Sequence, residues 1–276
     1  MSMKNAANFW GIIVLVAVIG FGVAGCKSPN DDPAHIHQWE WSVTTPATCI
    51  ATGEESGVCK LDRSHTTTRE IAIDPDAHDW NTDTGLCNNN CGELYYELGD
   101  TGPGGGKIFY VSAEGFTMTD NNSTAHYLEA ASADMATTLA WASSAFIPPN
   151  YGGTGGWADI TDTATEIGTG RKNTALILTT DTNAPTAKAC NDYSNGGKTD
   201  WFLPSLAELY YLYENRTSVG NLKMTEDSVN YIHIYWSSSQ DGDDSSAAWV
   251  QYFSDGRQGY SYGKNDTYSV RAVRAF

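Results

Sequence analysis

The last thirty residues, AAWVQYFSDGRQGYSYGKNDTYSVRAVRAF (247–276), alternate polar, aromatic and glycine positions and then close on an apolar and basic run. Such a run at a chain end predicts a final strand tucked into a core, with the polar aromatics before it displayed outward. Within this stretch, 247–253 has strand periodicity and Ser254-Asp255-Gly256 is a hairpin turn signal. Upstream, 231–237 alternates with Ile232, Ile234 and Trp236 on one side, and 238–246 (SSQDGDDSS) predicts a polar, acidic loop. Short strands are also expected at 108–111 and 126–131.

Helical periodicity is confined to two places. Residues 186–193 predict a short helix containing Cys190, whose thiol reads as buried packing. At 205–215 the signal is sharper: Ser205-x-x-Glu208 after Pro204 is a capping box, and Leu206, Leu209 and Leu212 form an apolar face. The segment 143–170 is rich in Gly, Pro, Thr and Asp and predicts a long loop of the kind that often carries function. Short strands, two helices, long loops and a terminal hairpin together predict an α+β class with a small antiparallel sheet.

The N-terminal pattern gives an address. Lys4 precedes an apolar stretch at 11–22 that is short for a membrane span, and Val23-Ala24-Gly25-Cys26 follows at once. That is a lipobox, so residues 1–25 are expected to be a lipoprotein signal peptide and Cys26 the lipidated residue, anchoring the chain to a membrane. An ordinary signal peptide or a marginal membrane helix is the alternative. Lys27 follows where an aspartate would signal inner-membrane retention, which is compatible with an outer-membrane, cell-surface location. Residues 26–34, with two prolines, read as a tether.

The formal charge of −17 argues against nucleic acid, anionic lipid or sulfated glycans as partners held by bulk electrostatics. Aromatic residues at 12% against only 18% charged residues exclude a largely disordered chain.

Residues 35–97 are expected to form a small Cys/His/Trp-rich module. His37-Gln38-Trp39 recurs as His78-Asp79-Trp80, a weak two-unit repeat with Cys49 and Cys59 in the first unit and Cys87 and Cys91 in the second. The cysteine spacings do not match the tight C-x2-C pairs of strong zinc sites, and an exported chain leaves the reducing cytosol, so disulfide staples are the favoured reading and no metal is assigned. A zinc ribbon, with His37, His65 or His78 as further ligands, stays open. At 99–107 a glycine-rich run superficially resembles a phosphate loop. Thr101 stands where its first glycine belongs, Ile108 follows Lys107 in place of Ser or Thr, and a strand follows in place of a helix. The run therefore reads as a turn between the module and a domain at 98–276, and the lone His126 as structural.

The motifs GDTGPGGGKIFYVS, YLEAA, IGTGRKNTALI, DWFLPSLAEL, YWSSSQ, AWVQYFSDG and SVRAVRAF stand in the order found in the C-type-lectin-like domains at the C-terminus of bacterial collagen-like adhesins, and the chain from about 98 to 276 resembles that family. The resemblance implies a C-type-lectin-like fold and outer-surface display. For members targeted by diversity-generating retroelements it also implies a terminal hairpin whose residues vary. The calcium-sugar triplets of lectins, Glu-Pro-Asn and Trp-Asn-Asp, are absent. The formylglycine-generating enzyme shares the fold, but no cysteine after Cys190 corresponds to its catalytic pair.

Residue chemistry points independently to binding. Tyr, Ser, Gly, Asn and Asp dominate 237–269, the palette of antibody loops, in which Tyr gives broad contact at low entropic cost. Ordinary surface β-structure has the same palette and is the alternative. Between 235 and 270, Asp241, Asp243, Asp244, Asp255 and Asp266 outnumber Arg257 and Lys264, so a neutral or basic protein or glycan is favoured over a sulfated one. If Trp249 and Phe253 point inward, Val250 and Tyr252 face the other way, and Tyr260 and Tyr262 share one side of the returning strand. The candidate surface is Tyr252, Arg257, Tyr260, Tyr262 and Asn265, with Asp241, Asp243 and Asp244 from the preceding loop. Trp236, Trp249, Arg271 and Arg274 are assigned to the scaffold. No Ser-His-Asp order, HExxH or G-x-S-x-G occurs, so no catalytic residue or cofactor is assigned.

Overall fold

The computed structural model describes residues 37–135, 138–225 and 233–276. The expected signal peptide at 1–25 and tether at 26–34, with Cys26, and the expected strand residues Tyr231 and Ile232 lie outside the described residues. Among the described residues no helix is long and apolar enough to cross a membrane.

The chain divides into two compact units after Asp79, so the boundary falls inside the Cys/His/Trp-rich segment and not at its end near 97. The described part of the first unit is an antiparallel meander of β1 (Trp39–Thr45), β2 (Gly53–Cys59) and β3 (Thr66–Ile71) in the order β1-β2-β3. Trp39 stands opposite Cys59 and Trp41 opposite Gly57. With no side chain at Gly57, the Trp41 ring lies flat on the sheet, and the Arg69 guanidinium caps it 3.9 Å from the ring centre.

The second unit opens with a short hairpin, β4 (Trp80–Asn81) and β5 (Leu86–Cys87). Aromatic packing shows why 80–97 belongs here. The Tyr96 ring meets Tyr127 and Phe276 edge-on, the Tyr96 hydroxyl donates to Thr82 O at 2.6 Å, and the Tyr127 hydroxyl donates to Gly85 O at 2.9 Å. The two halves of the apparent repeat therefore have different fates: Trp39 opens a seven-residue strand and Trp80 a two-residue one.

Two three-stranded antiparallel sheets form the body. One is ordered β13-β7-β6, from β6 (Lys107–Thr117), β7 (Thr124–Ala130) and β13 (Val273–Ala275). The other is β11-β10-β9, from β9 (Ile234–Gln240), β10 (Ala247–Tyr252) and β11 (Gln258–Gly263). A two-stranded pair joins β8 (Leu139–Ala140) to β12 (Thr267–Tyr268). Helices α1 (Gly170–Thr180), α2 (Pro185–Asn191), α3 (Leu206–Glu214) and α4 (Arg216–Val219) complete a mixed α+β architecture.

The terminal run ties the sheets together, as its apolar character predicts. Ser269 exchanges backbone hydrogen bonds with β9 (Trp236 N to Ser269 O 3.1 Å, Ser269 N to Ile234 O 2.9 Å), while Val273 to Ala275 pair with β7. Val270, Ala272 and Val273 are fully buried, with Trp236 and Phe253 beside them in the two cores. The α3 capping box forms as expected: Ser205 Oγ accepts the Glu208 N–H and the Glu208 carboxylate accepts the Ser205 N–H. The glycine-rich turn is a carboxylate cradle, with Gly104 N and Gly106 N donating to Glu129 at 3.0 and 2.6 Å. A Cβ at Gly106 would collide with the Ala130 carbonyl, so the close approach requires glycine.

Two elements differ from expectation. Helix α1 follows the long loop, although its β-branched residues and the lack of a capping side chain gave it no sequence signal. β9 continues through Ser238, Ser239 and Gln240, all buried, where a polar loop was expected.

Candidate functional site: the terminal hairpin

The β10–β11 hairpin turns at Ser254-Asp255-Gly256, with Gly256 at φ 83 and its N–H donating to Tyr252 O at 3.0 Å. The turn is fastened by Arg257, whose Nε lies 2.6 Å from Asp255 Oδ2 and whose guanidinium sits 4.9 Å from the Tyr252 ring centre. The Arg257 N–H and guanidinium beside Asp255 hold its carboxyl below the usual carboxylate range.

The ladder is irregular. Ala248 pairs with Tyr262 and Val250 with Gly259, so β11 has one residue more than β10 across this interval, a bulge. The extra residue sends neighbouring tyrosines to opposite faces. Tyr262 lies with Ala248 and Val250 against the core containing Trp236; its hydroxyl hydrogen-bonds that of Tyr252, and its ring meets Tyr268 at 5.7 Å. Burial first, then the Tyr262 hydroxyl, pushes the Tyr252 phenol up to about 12. Tyr260 lies on the other face, 5.6 Å from the Trp249 ring and 64% exposed.

Three expectations are corrected here. Tyr260 and Tyr262 do not share a side, because a bulge resets the alternation. Trp249 is not an inward prop but a half-buried support beneath Tyr260, and Val250, expected to face out, is fully buried. Tyr252 and Tyr262 are only partly accessible, being interlocked with scaffold aromatics.

The preceding loop also divides. Asp241 is only 7% exposed and its Oδ1 accepts the Asp243 N–H at 3.1 Å, so it shapes the loop and is not displayed. Asp243 and Asp244 are exposed, and the Ser246 hydroxyl and N–H hold the Asp244 carboxyl below its ordinary range. Asn265 is half-buried in the turn leaving β11.

Sequence reasoning missed Lys264, which looked like a surface cation. It is 1% exposed; its Nζ donates to Gln240 Oε1 at 2.6 Å and Ala158 O at 3.0 Å and lies 4.5 Å from the Trp141 ring centre. Gln240 in turn donates to Asp159 at 2.6 Å. Burial pulls the ammonium down to about 8. Lys264 thus pins the long loop at Ala158 and Asp159 to the end of β9, beneath the displayed loop. Two buried arginines brace the terminal strand as expected: Arg271 on Asp134 and Ala131 O, and Arg274 on Glu129 and both oxygens of Asp200.

In the first unit the Cys49 N–H donates to Ala77 O at 3.2 Å and Cys59 is buried in β2; in the second, Cys87 is buried in β5 and the following turn brings the Asn90 N–H 2.9 Å from Cys87 O. Cys190 is fully buried, and burial pushes its thiol pKa up.

A family model described as the Lcl C-terminal domain matches residues 130–274, a little over half of the chain, and the chain belongs to that family. The match runs from the last residue of β7 into β13 and contains the whole hairpin. No curated protein matches the chain. Among solved structures, a fimbrial protein from Bacteroides ovatus matches with a TM-score of 0.40 and 15% identity over 82% of this chain and 57% of that one. The chain therefore spans a little over half the length of that relative.

Proposed function

We propose that this chain is a non-catalytic, adhesin-type protein of the cell surface that binds a ligand through the β10–β11 hairpin and the 241–246 loop. The observation that carries the proposal is the split in the hairpin: its framework residues are buried and cross-braced, while Asp243, Asp244, Arg257 and Tyr260 project from it. Tyrosine beside short polar side chains gives large contact area at small entropic cost, as binding loops require. The exposed acids favour a neutral or basic protein or glycan over a sulfated one. Membership of the Lcl C-terminal domain family supports a surface role, and the motif order supports a C-type-lectin-like scaffold. Lipidation at Cys26 and placement on the outer membrane complete the reading, with the unit that ends at Asp79 as a small separate module.

The finer form of the proposal follows the resemblance to a treponemal variable protein, with the hairpin rewritten by a diversity-generating retroelement. A fixed-specificity adhesin is favoured by one observation: Tyr252 and Tyr262 are locked into Trp236 and Tyr268, so replacement at those two positions disturbs the scaffold. Attachment of beads coated with the full chain to host cell layers and matrix proteins tests the binding surface. The combined variant Asp243→Ala, Asp244→Ala, Arg257→Ala and Tyr260→Ala is expected to lose attachment with its far-UV spectrum unchanged. Attachment equal to that of the parent chain would sink the proposal.

A further inference from the structure

On the face of the hairpin that carries Tyr260, a cavity of about 350 Å³ lies between the start of α3 and β11, lined by Thr165, Glu166, Leu206, Ala207, Tyr210 and Gln258. Its walls are the apolar side chains of Leu206 and Ala207 and the ring of Tyr210, which is 40% exposed. Its mouth carries the exposed side chains of Gln258 and Glu166, and Glu166 is the one charged residue of the lining.

The groove offers acceptors and no spare backbone donor from the helix end. The first three N–H groups of α3 are already taken: Leu206 N donates to Ser239 Oγ at 3.2 Å, Ala207 N to Thr165 O at 2.8 Å and Glu208 N to Ser205 Oγ at 3.3 Å. The helix start therefore cannot act as an anion site, as a free N-terminus would. What remains is a short apolar channel, one aromatic face and a carboxylate. That combination fits a long aliphatic stem ending in a planar cation.

We propose that this groove receives an arginine side chain of a protein partner, its methylenes along Leu206 and Ala207, its guanidinium on Tyr210 and paired with Glu166. The inference rests on the reading of the hairpin as a ligand-facing surface and narrows the partner to a protein with an exposed basic residue. Gln258 of the lining stands two residues before Tyr260 on β11, so the groove adjoins the displayed strand. The formal charge of −17 for the whole chain adds long-range attraction for such a partner.

The test uses the isotope-labelled full chain and two probes, N-acetyl-arginine amide and its neutral isostere N-acetyl-citrulline amide, followed by NMR. The arginine probe is expected to give saturable shifts at Ala207, Tyr210 and Gln258, and the citrulline probe none. Glu166→Gln is expected to weaken the arginine response by about fivefold, the loss of roughly one charge-assisted hydrogen bond, with the rest of the spectrum unchanged. Equal shifts from both probes, shifts confined to other residues, or an unaltered response in Glu166→Gln would overturn the assignment. The bead assay separates the two levels of the account. If Glu166→Gln attaches normally while the four-residue hairpin variant does not, the groove is wrong and the surface stands; if the hairpin variant also attaches normally, the surface itself is wrong.

Discussion

Tyr260 and Tyr262, two positions apart on one strand, lie on opposite faces of the β11-β10-β9 sheet because a bulge intervenes. One is displayed on Trp249; the other is interlocked with Tyr252 and Tyr268. Substitution should separate them. Tyr260→Ala is expected to change stability by no more than about 0.5 kcal/mol, as for an exposed site, and Tyr262→Ala to cost about 1–3 kcal/mol. Thermal denaturation of the two variants checks this, and equal losses would mean that the faces are wrongly assigned.

Glu129 is fully buried and accepts from Gly104, Gly106 and Arg274. Removing it leaves two buried N–H groups and part of a buried guanidinium without an acceptor. Glu129→Ala should cost about 3–5 kcal/mol, the range for breaking a buried pair. Asp200, on the outer side of the same arginine, is 40% exposed, and Asp200→Ala should cost clearly less. Chemical denaturation of both variants gives the comparison, and a larger loss at Asp200 would contradict this ranking.

Lys264 makes stability depend on pH in a defined direction. Burial lowers its folded-state pKa from 10.5 to about 8, so between those values the unfolded chain holds a proton that the folded chain has released. Stability from this group therefore rises with pH across that window, by on the order of 3 kcal/mol in all. Lys264→Met should remove the rise. Because the tyrosines titrate nearby, the measured quantity is the difference between parent and variant at pH 8 and pH 10, and a difference that does not change with pH refutes the assignment.

Cys190 sits in α2 with its thiol held protonated by burial. Thiolate is the reactive form, so iodoacetamide should leave the Cys190 peptide unmodified in the folded protein and alkylate it after denaturation. Peptide mass mapping reads both states, and rapid labelling of the native protein would place Cys190 at an accessible site.

What could be read from the sequence was whatever local chemistry decides. Helix α3 was legible because Ser205, Glu208 and the leucines act within one turn of each other, and the terminal run because an apolar chain end has to be covered. Elements held by distant partners were not legible. Helix α1 is fixed by Asn173, which donates to Ala164 O and Ser238 Oγ, and by Thr174, which bonds Leu203. Ser238 and Ser239 of β9 read as loop because their partners, the Asn173 amide for Ser238 and Ala164 O for Ser239, lie elsewhere in the chain. Lys264 counted as a surface charge for the same reason. A bulge has no sequence mark in QGYSYG, so simple alternation put both tyrosines on one side and Trp249 inside.

The most direct measurement of the central claim is attachment of beads coated with the full chain, parent against the Asp243→Ala, Asp244→Ala, Arg257→Ala and Tyr260→Ala combination, to host cell layers and matrix proteins. The account predicts that the parent attaches and that the variant, folded as judged by its far-UV spectrum, does not. Equal attachment of the two chains would contradict it.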